Sequence, residues 1–446
     1  MYILIEWNYT FANACCGVKR GPTGSLADRV RVLTIWPNAI RDALKATEPA
    51  RRKKGDTKVE SKHTRSSSSI IQRSRERFEE LLGLSNKDSD SVPWVIPPKQ
   101  TPVPSPDERL RMFLEAVRNL HRVEEYEINW YVDHGGAEFA WTFPFFKDIW
   151  QSIGANLRRL TMDVQLFKMG DILGATGPLP RIEELNLTLR AEVTGGQLYD
   201  STVLPYFINK LSWTLQSLSI KTIGHQELSF FRLLGEFPLL TKLSLVMPLD
   251  ARHVPDPQGF QQLLRNHPRI RTLCIRYSRC CRNDVLDDGF CRPKGRHMLF
   301  SDISLPVLHT LELGLQIPLP STVAWDNGTR ADALSMISSV SGMADNLSAL
   351  ILKDRSLRLD EVRMVLGTFR GAKRLKKLSM YARFLTPQLV DVVAKDCPVL
   401  SIWEVDVESI VRNEFYSPGG VKTPEVCILS INIDFYTSIQ RDFPAL

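Results

Sequence analysis

The chain has no apolar run that approaches the ~20 residues needed to cross a bilayer as a helix, so no helical membrane span is expected. It has no G-x-x-x-x-G-K phosphate loop and no H-E-x-x-H pair, which removes two common nucleotide and metalloprotease readings. "DHGG" at Asp133–Gly136 resembles an oxyanion-hole loop. No G-x-S-x-G elbow accompanies it, so His134 has no nucleophile to serve and a hydrolase stays a remote alternative. The eight histidines form no constellation. No C-x2-C pair occurs among the eight cysteines. Cys280, Cys281, Cys291 and His297 do cluster, but adjacent cysteines fit one tetrahedral zinc site poorly, and a loop with reduced thiols is the expectation. Cys397 and Cys427 are expected to pack as small apolar residues. The opening "MYILIEWNYTFANACC" is apolar but lacks a leading basic region and carries Glu6, so no secretory leader is expected. Without one, a disulfide framework is not expected either, and the Asn-x-Ser/Thr triplets at Asn8, Asn186, Asn327 and Asn346 carry no meaning. These absences point to a non-enzyme in the cytoplasm or nucleus, with no cofactor and no metal.

The charge balance narrows the picture. The chain has 57 Lys and Arg against 50 Asp and Glu, a net +7. The stretch Arg41–Arg75 alone holds 11 basic and 4 acidic residues and accounts for the whole excess. That stretch is polar and of low complexity, and such a segment cannot bury enough apolar surface to fold. Arg51–Lys54 is a candidate nuclear-import signal. No aromatic residues interleave the charges, so specific nucleic-acid binding is not expected. Pro93, Pro97, Pro98, Pro102 and Pro104 keep the following residues extended. "SPDERLRMFLEAVRNL" then starts a helix: Ser105 can cap it, Pro106 suits its first position and Glu108 completes a capping box. Three parts result: an N-terminal segment 1–40 with a possible first repeat, a linker 41–104 expected to be disordered, and a repeat region 105–446.

What the chain has in abundance is one beat, apolar-x-x-apolar-x-apolar. It occurs at Val123/Tyr126/Ile128, Leu157/Leu160/Met162, Ile182/Leu185/Leu187, Leu215/Leu218/Ile220, Leu240/Leu243/Leu245 and Ile270/Leu273/Ile275. It returns at Leu308/Leu311/Leu313, Leu347/Leu350/Leu352, Leu375/Leu378/Met380, Leu400/Trp403/Val405 and Val426/Leu429/Ile431, with a possible earlier copy at Val30/Leu33/Ile35. The last two positions have period two, the mark of a short strand with one buried face. Helix-like segments lie between most copies: 144–157, 203–213, 227–237, 259–267, 333–343, 359–369 and 386–396. One helix and one strand cannot bury their own apolar faces, but a stack can. Four of the ten gaps between neighbouring copies are 25 or 26 residues, inside the leucine-rich-repeat range of roughly 20–29. The expected fold is an α/β leucine-rich-repeat horseshoe of about 11–12 irregular repeats, with a concave parallel sheet and outer helices. An ordinary α/β domain is the alternative.

"NLRRLTM", "RIEELNL", "TLQSLSI", "LLTKLSL", "RLKKLSM" and "VLHTLEL" resemble the irregular repeats of fungal F-box/leucine-rich-repeat proteins. That resemblance implies a substrate-recognition role in a cullin ubiquitin ligase, through an F-box that binds a Skp-type adaptor. No segment before Leu26 matches an F-box, so the adaptor is implied only if one lies upstream. A free-standing repeat inhibitor or scaffold with no ligase link is the alternative. Many such repeats carry Asn three residues after the last Leu; Gln165, Arg190, Ser278 and Gln316 stand there, so a regular Asn ladder is not expected.

Strand alternation also names the surface a protein partner would meet. The residues between the last two apolar positions point outward: Glu127, Thr161, Asn186, Ser219, Ser244, Cys274, Glu312, Ile351, Ser379 and Glu404 among them. The residue after each triplet points the same way and supplies Lys221, Arg276, Lys353 and Tyr381, while Lys377 shares the side of Ser379. These five are the candidate partner-binding residues. Together they predict a basic centre beside one large aromatic, of a kind common at binding hot spots.

Overall fold

The computed structural model describes residues 2–5, 26–37, 106–130, 142–190, 202–223, 229–247, 256–276, 303–314, 346–369 and 374–410. The linker 41–104, "DHGG", the cysteine cluster 280–297, the helix-like segment 333–343 and the triplet at Val426/Leu429/Ile431 lie outside these residues. The chain divides into two units, one of Met1–Arg41 with Met112–Leu446 and one of Asp42–Arg111. Of the second, only the start of helix α1 (Pro106–Arg118) is described.

The first unit contains a parallel sheet of twelve strands in sequence order. The strands are β1 (Tyr2–Ile5), β2 (Val32–Ile35), β3 (Glu125–Trp130), β4 (Arg159–Gln165), β5 (Glu184–Arg190), β6 (Ser217–Ile223), β7 (Lys242–Val246) and β8 (Thr272–Arg276). After them come β9 (Thr310–Gly314), β10 (Ala349–Leu357), β11 (Lys377–Leu385) and β12 (Ile402–Ile410). Each strand pairs only with its neighbours in the sequence and the sheet does not close on itself, the topology of an α/β leucine-rich-repeat solenoid.

Every triplet from β2 to β12 is buried, including the early copy Val30/Leu33/Ile35. The sequence reading overlooked β1, which pairs in register with β2 from Tyr2↔Val32 to Ile5↔Ile35. Tyr2–Ile5 is a continuous apolar run of four residues, with no alternation by which periodicity could mark it as a strand.

Helices fill most of the connections: α2 (Thr142–Ile153), α3 (Met169–Gly174), α4 (Val203–Lys210), α5 (Pro257–Asn266), α6 (Leu359–Thr368) and α7 (Pro387–Asp396). Their starts are written in the sequence. Thr386 accepts from the Leu389 N–H at 3.1 Å ahead of Pro387, and Asp256 accepts from the Gly259 N–H at 3.0 Å ahead of Pro257. At α6 the Glu361 carboxylate accepts the Arg358 N–H at 2.9 Å. Of the segment 227–237, expected to be helical, the described residues 229–237 form only the 3-10 turn Ser229–Leu233. The apolar side chains still do their work there, since Phe230, Phe231 and Phe237 are buried and Phe231 meets Phe260 of α5 edge-on at 5.5 Å.

Two devices lock repeat to repeat. The first is a backbone ladder at the start of each strand. The carbonyl one residue after the first apolar position accepts two successive N–H groups of the next repeat, at 2.7–3.1 Å, on every step from β2 to β12. Examples are Arg158 N and Arg159 N on Glu124 O, and Ser401 N and Ile402 N on Lys376 O. Amides that the turn cannot satisfy internally are therefore paired across repeats. The second is an Asn–Arg bridge just before the first apolar residue. Asn156 donates to His121 O at 2.7 Å while Arg181 donates to Asn156 Oδ1 at 3.1 Å. Asn346 donates to Pro306 O at 2.6 Å and Arg374 donates to Asn346 Oδ1 at 2.5 Å, the same bridge elsewhere in the stack.

Candidate functional site

The buried triplets turn toward the helices, so the intervening residues occupy the other face of the sheet. Register arranges them in rows. One row runs Thr34, Glu127, Thr161, Asn186, Ser219, Ser244, Cys274, Glu312, Ile351, Ser379, Glu404, each paired with the next. This is the row expected from the alternation, with two departures. Cys274 and Ser379 are buried, flanked by longer side chains such as Glu312 and Glu404. Burial pushes the Cys274 thiol up to about 11, so it is a neutral group hydrogen-bonded with Ser244 and not an activated nucleophile.

The candidate residues fall into different settings. Lys221 is exposed on β6, paired in register with Thr188 and Val246. Arg276 on β8 reaches Glu312 of the next strand at 3.7 Å. Lys353 pairs in register with Gly314. Lys377 is engaged by Glu404 at 2.6 Å; its hydrogen bond, ahead of every other influence, holds that carboxyl below the usual range. Tyr381 was expected in the same row as Lys353 but pairs instead with Ser356. The register of β10 slips between Ile351 and Ser356, because β10 carries extra residues there that β11 does not match. The structure therefore aligns Tyr381 with Asp406 on one side and Ser356 on the other.

A further outward row was not foreseen beyond Lys377. It runs Glu125, Arg159, Glu184, Ser217, Lys242, Thr272, Thr310, Ala349, Lys377, Ile402. The signal was available, since these residues sit two positions before the row above and period two puts them on the same face.

With the rows in place, charge is unevenly spread. On β3–β5 the acids dominate and are held internally. Arg159 bridges Glu125 at 3.1 Å and Glu184 at 2.9 Å. Asp163 takes a two-pronged bond from Arg190 at 2.5 and 2.8 Å. Glu127 accepts from Thr34 at 3.2 Å and from Asn129 at 2.8 Å. Burial opposes ionisation of Glu184, but hydrogen bonds from Asn186 and Arg159 outweigh it and leave its pKa lowered. On β6–β8 the outward residues are Ser217, Ser219, Lys221, Ile223, Lys242, Ser244, Val246, Thr272, Cys274 and Arg276, with three cations and no acid. Among the described residues no group of three His, Cys, Asp or Glu side chains is placed to hold a metal, and no helix is long and apolar enough to cross a membrane.

No family model matches the chain and no curated protein matches it. Solved structures similar to it include the leucine-rich-repeat-containing protein LegL7 from Legionella pneumophila, at 12% identity and a TM-score of 0.36, over 66% of this chain and 87% of that one. The complex of Rad7 and Elc1 in yeast is another, at 12% identity and a TM-score of 0.29, over 80% of this chain and 97% of that one. The assignment to the leucine-rich-repeat fold stands on the sheet itself, with its buried triplets and its strictly sequential parallel strands.

Proposed function

We propose that the chain is a non-enzymatic protein-binding scaffold whose binding surface is the sheet face opposite the helices. One observation carries this reading: the outward rows offer a wide, register-aligned surface of small, polar and charged side chains across many strands. Rigid strands pre-organise such a surface, so little ordering entropy is spent when a partner lands on it. The resemblance to F-box/leucine-rich-repeat proteins supports a finer reading, that of a substrate receptor of a ubiquitin ligase. The Skp-type adaptor belongs to that reading only with an F-box upstream. A free-standing inhibitor or scaffold is the competing reading, and the two share the same face.

The test compares two folded variants in affinity purification. Lys221→Glu with Lys242→Glu changes the strand face; Arg265→Glu with Lys395→Glu changes exposed positions on α5 and α7. Partners held by the wild type and the helix variant but lost by the strand variant support the reading. Partners held equally by all three sink it. Co-purification of a Skp-type adaptor separates the ligase reading from the free-standing one.

A further inference from the structure

We propose that the centre of the strand face, β6–β8, docks an extended acidic segment of a partner protein. This rests on the strand face being the binding surface and adds the chemistry of what binds there.

The first ground is the change of sign across the face. The nine positions of β6–β8 in the three shared outward rows carry Lys221, Lys242 and Arg276 and no acid. The corresponding positions of β3–β5 carry Glu125, Glu127, Asp163 and Glu184 against Arg159, with Arg190 one row further along β5. Beyond β8, Glu312, Glu404 and Asp406 stand among Lys353 and Lys377. A basic band is thus bordered on both sides by acids, which confines an anionic stretch to about the width of three strands and repels one that runs on past them.

The second ground is how the charges are used. The flanking charges are matched inside the chain, with Arg159 shared by Glu125 and Glu184, Asp163 held by Arg190, and Lys377 held by Glu404. Lys221 and Lys242 are both exposed, and neither makes a salt bridge with a described residue; Lys242 acts on Glu184 only through space. Arg276, at the edge of the band, meets Glu312 of the next strand at 3.7 Å.

The third ground is shape. Ser219 and Ser244 lie in register between the cations, and no large side chain rises from that row on β6 or β7, so a partner backbone can come close. Lys221 and Arg276 are two strands apart, about 10 Å at the usual strand spacing, which an extended chain covers in about three residues. Lys242 stands four residues earlier on its strand, about 13 Å away, on the other side of the Ser219–Ser244 row. A segment running across the strands along that row meets cations on both of its sides. A nucleic acid fits less well. It would carry its phosphates onto the acidic borders, and β6–β8 offer no aromatic outward side chain on which a base could stack.

The experiment is a selection of displayed random dodecapeptides on the full chain, followed by titration of the enriched peptides as labelled synthetic copies. The expected result is enrichment of peptides with several Asp or Glu. Their affinity should fall about tenfold or more in Lys221→Glu/Lys242→Glu, stay unchanged in Arg265→Glu/Lys395→Glu, and weaken steeply with salt. Enriched peptides without acids that still depend on Lys221 and Lys242 overturn the acidic-segment proposal and leave the scaffold reading standing. Peptides that bind all variants equally, or no enrichment at all, overturn both. Full competition by single-stranded oligothymidylate assigns the patch to nucleic acid and overturns the proposal as well.

Discussion

The strands β3–β5 and β6–β8 share one backbone pattern, one ladder and one buried face, yet they treat charge in opposite ways. In β3–β5 an acid on one strand meets a base on the next, and the partners are 2.5–3.1 Å apart. In β6–β8 Lys242 faces Ser217 and Thr272, Lys221 and Arg276 both face Val246, and Lys221 and Lys242 are exposed to solvent. The repeat backbone holds both arrangements equally well because its stability comes from the inner side. Outward positions are therefore free to be spent on cohesion in one region and on recognition in another.

That division can be broken most severely from the inside. Leu243→Ala, in the centre, removes a fully buried side chain and should lower stability by roughly 2–5 kcal/mol, while Ser244→Ala beside it should stay within about 0.5 kcal/mol. Urea titration of both variants measures this, and equal losses would contradict the two-sided strand.

A second break uses pH. His267 is buried between repeats; its Nδ1 contacts Leu263 O at 2.5 Å and its Nε2 accepts the Phe237 N–H at 2.9 Å. With Nδ1 donating and Nε2 accepting, the ring is neutral, and burial lowers its pKa from the ordinary 6.5. The unfolded chain then binds a proton that the folded chain refuses. Its contribution is complete above pH 6.5 and is lost as pH falls below that value toward the folded pKa. Melting temperature should drop across that window in the wild type, and the drop should shrink in His267→Gln, whose baseline stability is lower. An unchanged slope in the variant would remove His267 as the cause.

The gentlest variants sharpen the contrast itself. Arg159→Ala leaves Glu125 and Glu184 unneutralised and should cost about 0.5–1 kcal/mol, as half-exposed pairs do, with the loss shrinking in high salt. Lys221→Ala, in the centre, should cost nothing measurable beyond about 0.3 kcal/mol. If Lys221 proved the costlier of the two, the flank would not be the self-satisfied region.

The inner side of the fold was legible in the sequence because its signal is local. Three apolar positions within six residues declare a strand, and each described triplet lies buried where alternation puts it. The outer side was legible only in part. Alternation placed Lys221 and Arg276 correctly, and the same rule would have found Lys242 had it been applied two positions earlier. What could not be read were partners supplied by the next repeat. Lys377 and Glu404, or Asn346 and Arg374, lie some 27 and 28 positions apart and meet only through register. The slipped register of β10, which separates Tyr381 from Lys353, has no sequence marker of its own.

The ladder of shared carbonyls has a mechanical consequence. From β3 onward each strand start hangs on its predecessor by two N–H···O hydrogen bonds to a single carbonyl oxygen, so the connection runs one way, from each repeat back to the one before. A force applied to the chain directly after Ile410 loads the β12 pairing, these two hydrogen bonds included, before that of any earlier strand. Stretched in this direction, the sheet should peel in discrete steps of one repeat, a sawtooth whose teeth follow the chain order, and the long, well-paired β11–β12 seam should set the height of the first tooth.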